Sequence, residues 1–406
     1  MRQPPVVGRA LLSALTLALS LACRAGPGGG IDPAPLSTPT LPTALSDDEF
    51  RRLVQTMSEP GGAFHADNFV SNEGEFASTI ASLDTTRLTG GVYLGVGPEQ
   101  NFSYIAALRP RLAFIIDIRR QAMIQHLMYK ALFELSADRA EFISRLFSKP
   151  RPLGLDSTST IEEIWVRYWW VGSDSLLFKA NLGAVLRHLT RTRGVPLPPA
   201  DSTALAYVYG AFFEFGPSIT FSGYARRAGE LRFADLMVTL DRRGAPRSFL
   251  STEERFRFVR DMHVRNLIVP LVGDFAGPKA IRAVGDYVRE RGSKVTAFYV
   301  SNVEQYLFHG STAWERFYAN VETLPIDPSS VFIRPHHLVT ATRLAPVIVI
   351  NGVMAIGYAP PDPAAPRGTI PTTRAVADEI CPIATTLPAI RAGQIRSYTE
   401  LNWCVK

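Results

Sequence analysis

The stretch Gly90–Asp117, GGVYLGVGPEQNFSYIAALRPRLAFIID, constrains the fold of this chain more than any other. Val92, Tyr93 and Leu94 predict a buried strand, Gly95 and Gly97 a turn, NFSYIAALRP a helix stopped by Pro110, and LAFIID a second strand. Uninterrupted apolar strands of this kind suit a parallel sheet covered on both faces, because neither face meets water. RRQAMIQHLMYKALFEL follows as the next long helix. The alternation returns later: NLIVPLVGDFAG reads as a strand, PKAIRAVGDYVRERG as an amphipathic helix ended by Gly292, and KVTAFYVSN as a strand leading into the helix VEQYLF. SSVFIR and APVIVINGVMAIGYA supply late strands, the second a hairpin around Asn351-Gly352. The expected class is α/β, a doubly wound and mostly parallel sheet.

Residues from about 150 to 230 break the pattern. IEEIWVRYWW, SLLFKANLGAVLRHLTRT and ALAYVYGAFFEF are helical, aromatic and without clear strands, so they read as a helical insertion packed over the sheet. Upstream, Ser46 caps LSDDEFRRLVQTMSE and GEFASTIASL forms a short amphipathic helix. The domain is expected to run from 46 to 360, with a C-terminal extension over 361–406.

The N-terminus reads as an address. Arg2 and Arg9 precede ALLSALTLALSLAC, an apolar run of signal-segment length that ends at Cys23. Residues 1–23 resemble a lipoprotein signal in which Cys23 would be lipidated, although Ser20 and Leu21 depart from the usual box. Arg24 to Leu45, rich in Pro, Gly, Ser and Thr, reads as a tether, since it cannot bury enough apolar surface to fold alone. The expected location is the bacterial cell envelope, lipid-anchored or periplasmic; a true start near Met57 would make it cytoplasmic. Cys381 and Cys404 either pair in an oxidising compartment or are two unrelated thiols. With 20% charged residues, a net charge of +6 and scattered arginines, the chain carries no basic run suited to nucleic acid.

In a doubly wound sheet, ligands bind beyond the carboxyl ends of the strands, where the winding reverses. Gly95 and Gly97 would let the backbone approach a ligand closely, and the following helix aims free N–H groups at the same place. Asp117, 20 residues past Gly97, stands where a carboxylate accepts hydrogen bonds from ribose hydroxyls. A dinucleotide fingerprint would place a third glycine where Gln100 stands, and Pro98 removes an N–H that a diphosphate would use. The residues therefore favour a nucleoside without phosphates, S-adenosylmethionine foremost.

Three segments carry a resemblance: YLGVGPEQNFSYIAALRPRLAFIIDIRRQ, RSFLSTEERFRFVRDMHVRNLIVPLVGDFAGPKAIRAVGDYV and FYVSNVEQYLF. Together they resemble a bacterial family of unassigned activity with a class I S-adenosylmethionine-dependent methyltransferase-like Rossmann fold, over roughly residues 45 to 340. The resemblance implies that Gly95 and Gly97 match the motif glycines, that Asp117 matches the ribose acid, and that Asp274 and Asn302 are crevice residues at the fourth and fifth strand ends. Tyr93-Leu94 stand where such enzymes often carry an acid, a departure at the cofactor's amino-acid end.

Other polar residues have more than one reading. Glu99, Gln100 and Asn101 either touch the ligand or cap the helix; Arg119 and Arg120 grip an anion, start a helix in solvent, or pair with Asp117; Glu304 and Tyr306 either serve a reaction or belong to a satisfied network. His336-His337 diverge on a strand, and no His/Cys/Asp cluster has metal-ligand spacing, so no metal is expected. Three functions compete: an exported binding protein or degenerate methyltransferase homologue with a nucleoside-type crevice, an active methyltransferase on a small molecule or envelope component, and a structural lipoprotein.

Overall fold

The computed structural model describes residues 40–401 apart from 84, 226–228, 310–311, 339–347, 351–352 and 356–374, and gives no side chains over 335–379. The segment expected to be a signal, Cys23, most of the tether, Asn351-Gly352, the side chains of His336 and His337, and Cys404 all lie outside the described residues.

The described residues form eight strands: β1 (Val92–Gly95), β2 (Leu112–Asp117), β3 (Ile268–Val272), β4 (Val295–Tyr299), β5 (Val331–Leu338), β6 (Ile348–Ile350), β7 (Val353–Ala355) and β8 (Ala375–Pro382). Six of them form one sheet in the order β3-β2-β1-β4-β5-β8. The first five run parallel and β8 pairs antiparallel with β5, while β6 and β7 make a separate antiparallel pair. This is an α/β fold compatible with a Rossmann-like arrangement. The winding leaves β1 in opposite directions, to β2 and to β4, and that reversal creates a crevice position at their carboxyl ends.

Each residue of β1, β2, β3 and β4 is buried, which accounts for the uninterrupted apolar runs. Helices Asp47–Met57 and Ala280–Glu290 contact each other and pack on β3 and β2 respectively. Helix Arg120–Leu135 packs on both strands and against helix Glu253–Val264, which also touches helix Gln100–Leu108. At this helical junction Phe102 takes the rings of His126, Tyr129, Phe133, Phe249 and His263 edge-on, with centroids 5.2 to 5.6 Å away. Burial of such rings contributes on the order of 2 kcal/mol each. Burial also holds the His263 imidazole well below its usual pKa.

Among the described residues, the insertion contributes helices but no strand of the main sheet between β2 and β3. Asp274 and Asn302 therefore follow the third and fourth strands, not the fourth and fifth, and β3 is the sheet's edge. The sheet also extends past residue 360, because β8 belongs to it, and Cys381 within β8 is disulfide-bonded. At the other end, Leu41 and Leu45 are buried in the core, and Leu45 donates its N–H to the Arg265 carbonyl, 2.9 Å. The last residues of the expected tether thus belong to the folded body.

Candidate functional site

The glycine turn is stitched to its own helix. Asn101, near the start of helix Gln100–Leu108, donates from Nδ2 to the carbonyls of Val96 (2.9 Å), Gly97 (3.1 Å) and Pro98 (2.8 Å), and accepts the Tyr93 hydroxyl at 2.9 Å. A Cβ on residue 95 would collide with Asn101 Oδ1 and Tyr93, so Gly95 makes room for this side-chain bond. Gly97 has φ +76°, a conformation that glycine adopts without strain. His126 Nε2 lies 2.8 Å from the Gly97 carbonyl, and burial lowers its pKa to about 4; the neutral ring donates this bond.

Asp117 ends β2 already paired. Its Oδ1 accepts from the N–H and Nε of Arg119 at 2.9 and 3.1 Å, and its Oδ2 accepts from Nη2 at 3.0 Å. Both side chains are buried. The remaining Arg119 nitrogen donates to the Ala66 carbonyl at 3.2 Å and to that of Asp67. Arg120 instead pairs with Asp201 of helix Pro199–Phe215, at 2.7 and 2.6 Å.

The carbonyls that Arg119 holds belong to a strap, residues 58–73, which visits the carboxyl ends of four strands in turn. At β3, Ser58 and Glu59 bond to the backbone of Val272, and the Glu59 carboxylate accepts the N–H groups of Asp274 (3.2 Å), Lys279 (2.7 Å) and Ala280 (2.7 Å). Its negative charge meets the positive end of helix Ala280–Glu290. At β2, Gly62 donates to the Ile118 carbonyl, 2.7 Å. At the β1 turn, Ser71 bonds through its N–H to Glu99 (3.1 Å) and through its hydroxyl to Gln100. At β4, the buried Glu73 accepts from the Tyr299 hydroxyl (2.6 Å), Ser301 Oγ (2.5 Å) and Gln100 Nε2 (3.1 Å). The switch point between β1 and β4 is filled by the protein's own carboxylate.

Glu59, Ser71 and Glu73 were not expected from the sequence, because they precede the glycine motif and match no spacing. The polar run SNEGE ahead of a helix is the one trace they leave. Among the expected residues, Gly95, Gly97, Glu99, Asn101, Asp117 and Arg119 gather around the strap. Asp274 accepts Ala276 N–H within its own turn at the sheet edge, and Asn302 precedes helix Val303–Phe308 without capping it through its side chain. Glu304 and Tyr306 separate. Glu304 is buried in a network with Arg334 and Tyr318, whereas Tyr306 is exposed and packs edge-on against Phe64 at 5.2 Å.

Glu99 is the anomaly of the site. It is fully buried, its Oε2 meets no hydrogen-bond partner among the described residues, and burial pushes its pKa up to about 7 despite the Ser71 N–H. A folded-state pKa raised above the usual 4.5 means that the folded protein holds a proton which the unfolded chain has released. Its stabilising effect is complete below pH 4.5 and is lost as the pH rises to about 7, a change on the order of 3 kcal/mol. His126, lowered from 6.5 to about 4, acts oppositely over nearly the same range, so the comparison must be with a variant that keeps it. Glu99→Gln should gain roughly 3 kcal/mol on wild type between pH 4.5 and 8, read by urea unfolding. Equal differences at both pH values would show Glu99 ionised in the fold.

A cavity of about 560 Å³ opens beside the strap. Its walls include Phe64, His65 and Asp67 of the strap, Arg119, Arg120 and Gln121 at the start of the next helix, and Phe221 from the insertion. Asp67 is fixed by Gln121 and by Tyr207, each at 3.0 Å, and the Arg119 guanidinium lies over Phe64 at 5.8 Å. Of the ligand residues expected from the sequence, Arg119 and Arg120 are among its described walls. No group of three or more His, Cys, Asp or Glu among the described residues is placed to hold a metal ion.

A family model described as a domain of unknown function (DUF7790) matches residues 68–192 and 223–344, more than half of the chain. The chain belongs to this family. No curated protein matches it. The DUF7790 match takes in Ser71 and Glu73, the glycine turn, Asp117 with Arg119, and both Glu304 and Arg334. Its gap, 193–222, holds helix Pro199–Phe215, which supplies Asp201 and Tyr207 to the cavity's surroundings.

Proposed function

We propose that this chain is a ligand-binding protein on a methyltransferase-like Rossmann scaffold, exported and lipid-anchored through Cys23 in the cell envelope, and that its ligand is a neutral nucleoside-type molecule held in the 560 Å³ cavity beside the strap. The observation that carries this reading is the strap itself. Glu73 and Ser71 take up the polar groups at the β1–β4 switch point, where the amino-acid end of S-adenosylmethionine would need them, while the neighbouring cavity stays open. On this reading the scaffold is that of a methyltransferase without its activity.

The cavity's chemistry supports the ligand class. Phe64, His65 and Phe221 offer faces on which a base stacks, and Gln121 and Asn72 offer groups for sugar hydroxyls. Arg119 and Arg120 are each neutralised by a carboxylate, so no unpaired guanidinium is reserved for a phosphate. Calorimetric titration with adenosine, S-adenosylhomocysteine and S-adenosylmethionine tests it. The expected result is saturable adenosine binding, no tighter binding of the two larger molecules, and loss of binding in Ala63→Trp, which fills the cavity. Tenfold tighter binding of S-adenosylmethionine than of adenosine would restore the methyltransferase reading; binding of none would remove the nucleoside site.

A further inference from the structure

Helix Ser175–Arg187, prolonged by the π turn His188–Thr192, contains no Asp or Glu. Its cations Lys179, Arg187 and Arg191 recur at multiples of four positions, so they run in a row along the helix. All three are exposed and none has an ion-pair partner among the described residues. Residue 183 in the same row is glycine, and the Arg187 guanidinium reaches back over it, within 3.0 Å of where a Cβ would stand.

At the N-terminal end of this row stand large apolar side chains that the fold leaves in water. Leu153 is 90% exposed, Leu176 74% and Trp170 73%. They share one end of the insertion, because Asp174 donates its N–H to the Ser148 carbonyl at 2.8 Å and Lys149 Nζ bonds the Val171 carbonyl. The acids there are engaged: Asp174 caps the helix, Asp138 holds Arg151, and Glu214 accepts the Tyr224 hydroxyl. What remains is a tip of tryptophan and leucine continuing into an unopposed line of cations.

We propose that this face docks on the surface of a bilayer containing anionic phospholipid, with Trp170, Leu176 and Leu153 entering the headgroup region and Lys179, Arg187 and Arg191 lying along the phosphates. Tryptophan favours that interface because its ring is apolar and its N–H stays wet. Cations near an anionic surface add attraction that apolar tips alone lack. The proposal is independent of the lipid expected at Cys23 and of the ligand cavity; an anchored chain would be held with this face down.

The test uses the chain from Arg24 onward, which keeps every described residue and cannot bind through residues 1–23. Co-sedimentation with vesicles of equimolar phosphatidylcholine and phosphatidylglycerol, against phosphatidylcholine alone, should show binding to the anionic vesicles. Lys179→Gln/Arg187→Gln/Arg191→Gln should weaken that binding about a hundredfold. Leu153→Ser/Trp170→Ser/Leu176→Ser should weaken it at least tenfold, and Arg257→Gln/Arg289→Gln, exposed positions on other helices, should leave it unchanged. Equal binding to both vesicle types, unaltered binding by either triple variant, or tighter binding of duplex DNA than of anionic vesicles would overturn the proposal.

Discussion

Replacing Asp117 with alanine should lower the unfolding free energy by about 3–5 kcal/mol, measured in urea. The expected ribose acid is the counter-charge of a buried arginine: it takes three hydrogen bonds from Arg119, both side chains are enclosed, and the same guanidinium holds two strap carbonyls. Without Asp117 that charge is left buried and uncompensated, the costly outcome for such a pair. The double variant Asp117→Ala/Arg119→Leu should recover more than half of the loss, since no unpaired charge then remains. A single-variant loss below about 1 kcal/mol would mean that Arg119 reaches water when its partner is gone.

Glu304→Ala should cost a similar 3–5 kcal/mol. Glu304 accepts from Arg334 Nε at 2.7 Å and Nη2 at 3.1 Å and from the Tyr318 hydroxyl at 2.5 Å, all buried. Burial, and next the Glu304 charge, hold the Tyr318 hydroxyl well above its usual pKa, and Glu304 keeps Arg334 protonated against burial. Glu304→Gln, which keeps the shape and one acceptor, should cost less than alanine. A melting temperature unchanged in Glu304→Ala would show that the network is not a source of stability.

These two acids show where the sequence is legible and where it is not. The strand-turn-helix-strand order around Gly95 and Gly97 could be read because apolar period and glycine position are local signals, and β1 to β4 stand where those signals put them. β8 was not anticipated: an antiparallel strand carrying Asp378 and Glu379 has no buried-strand pattern. The position of Asp117 was legible; the Arg119 pairing was one of three local readings. Arg120 met Asp201, 81 residues away, which no neighbouring pattern announces. The strap escaped for the same reason, since Ser71 and Glu73 acquire meaning from residues 28 and 226 positions distant.

That separation governs how the molecule can be assembled. Glu73 reaches Tyr299 across 226 residues and Ser301 across 228, and Glu59 reaches Ala280 across 221. A chain made from its N-terminus carries these acids long before most of their partners exist. Ties of such high contact order close late, after the entropy of a long loop has been overcome. Completion of the strap's ties is thus bound to arrival of the chain's last third, and a truncated product ending before residue 274 would deprive Glu59 of all three N–H donors to its carboxylate and leave Glu73 with Gln100 alone of its three.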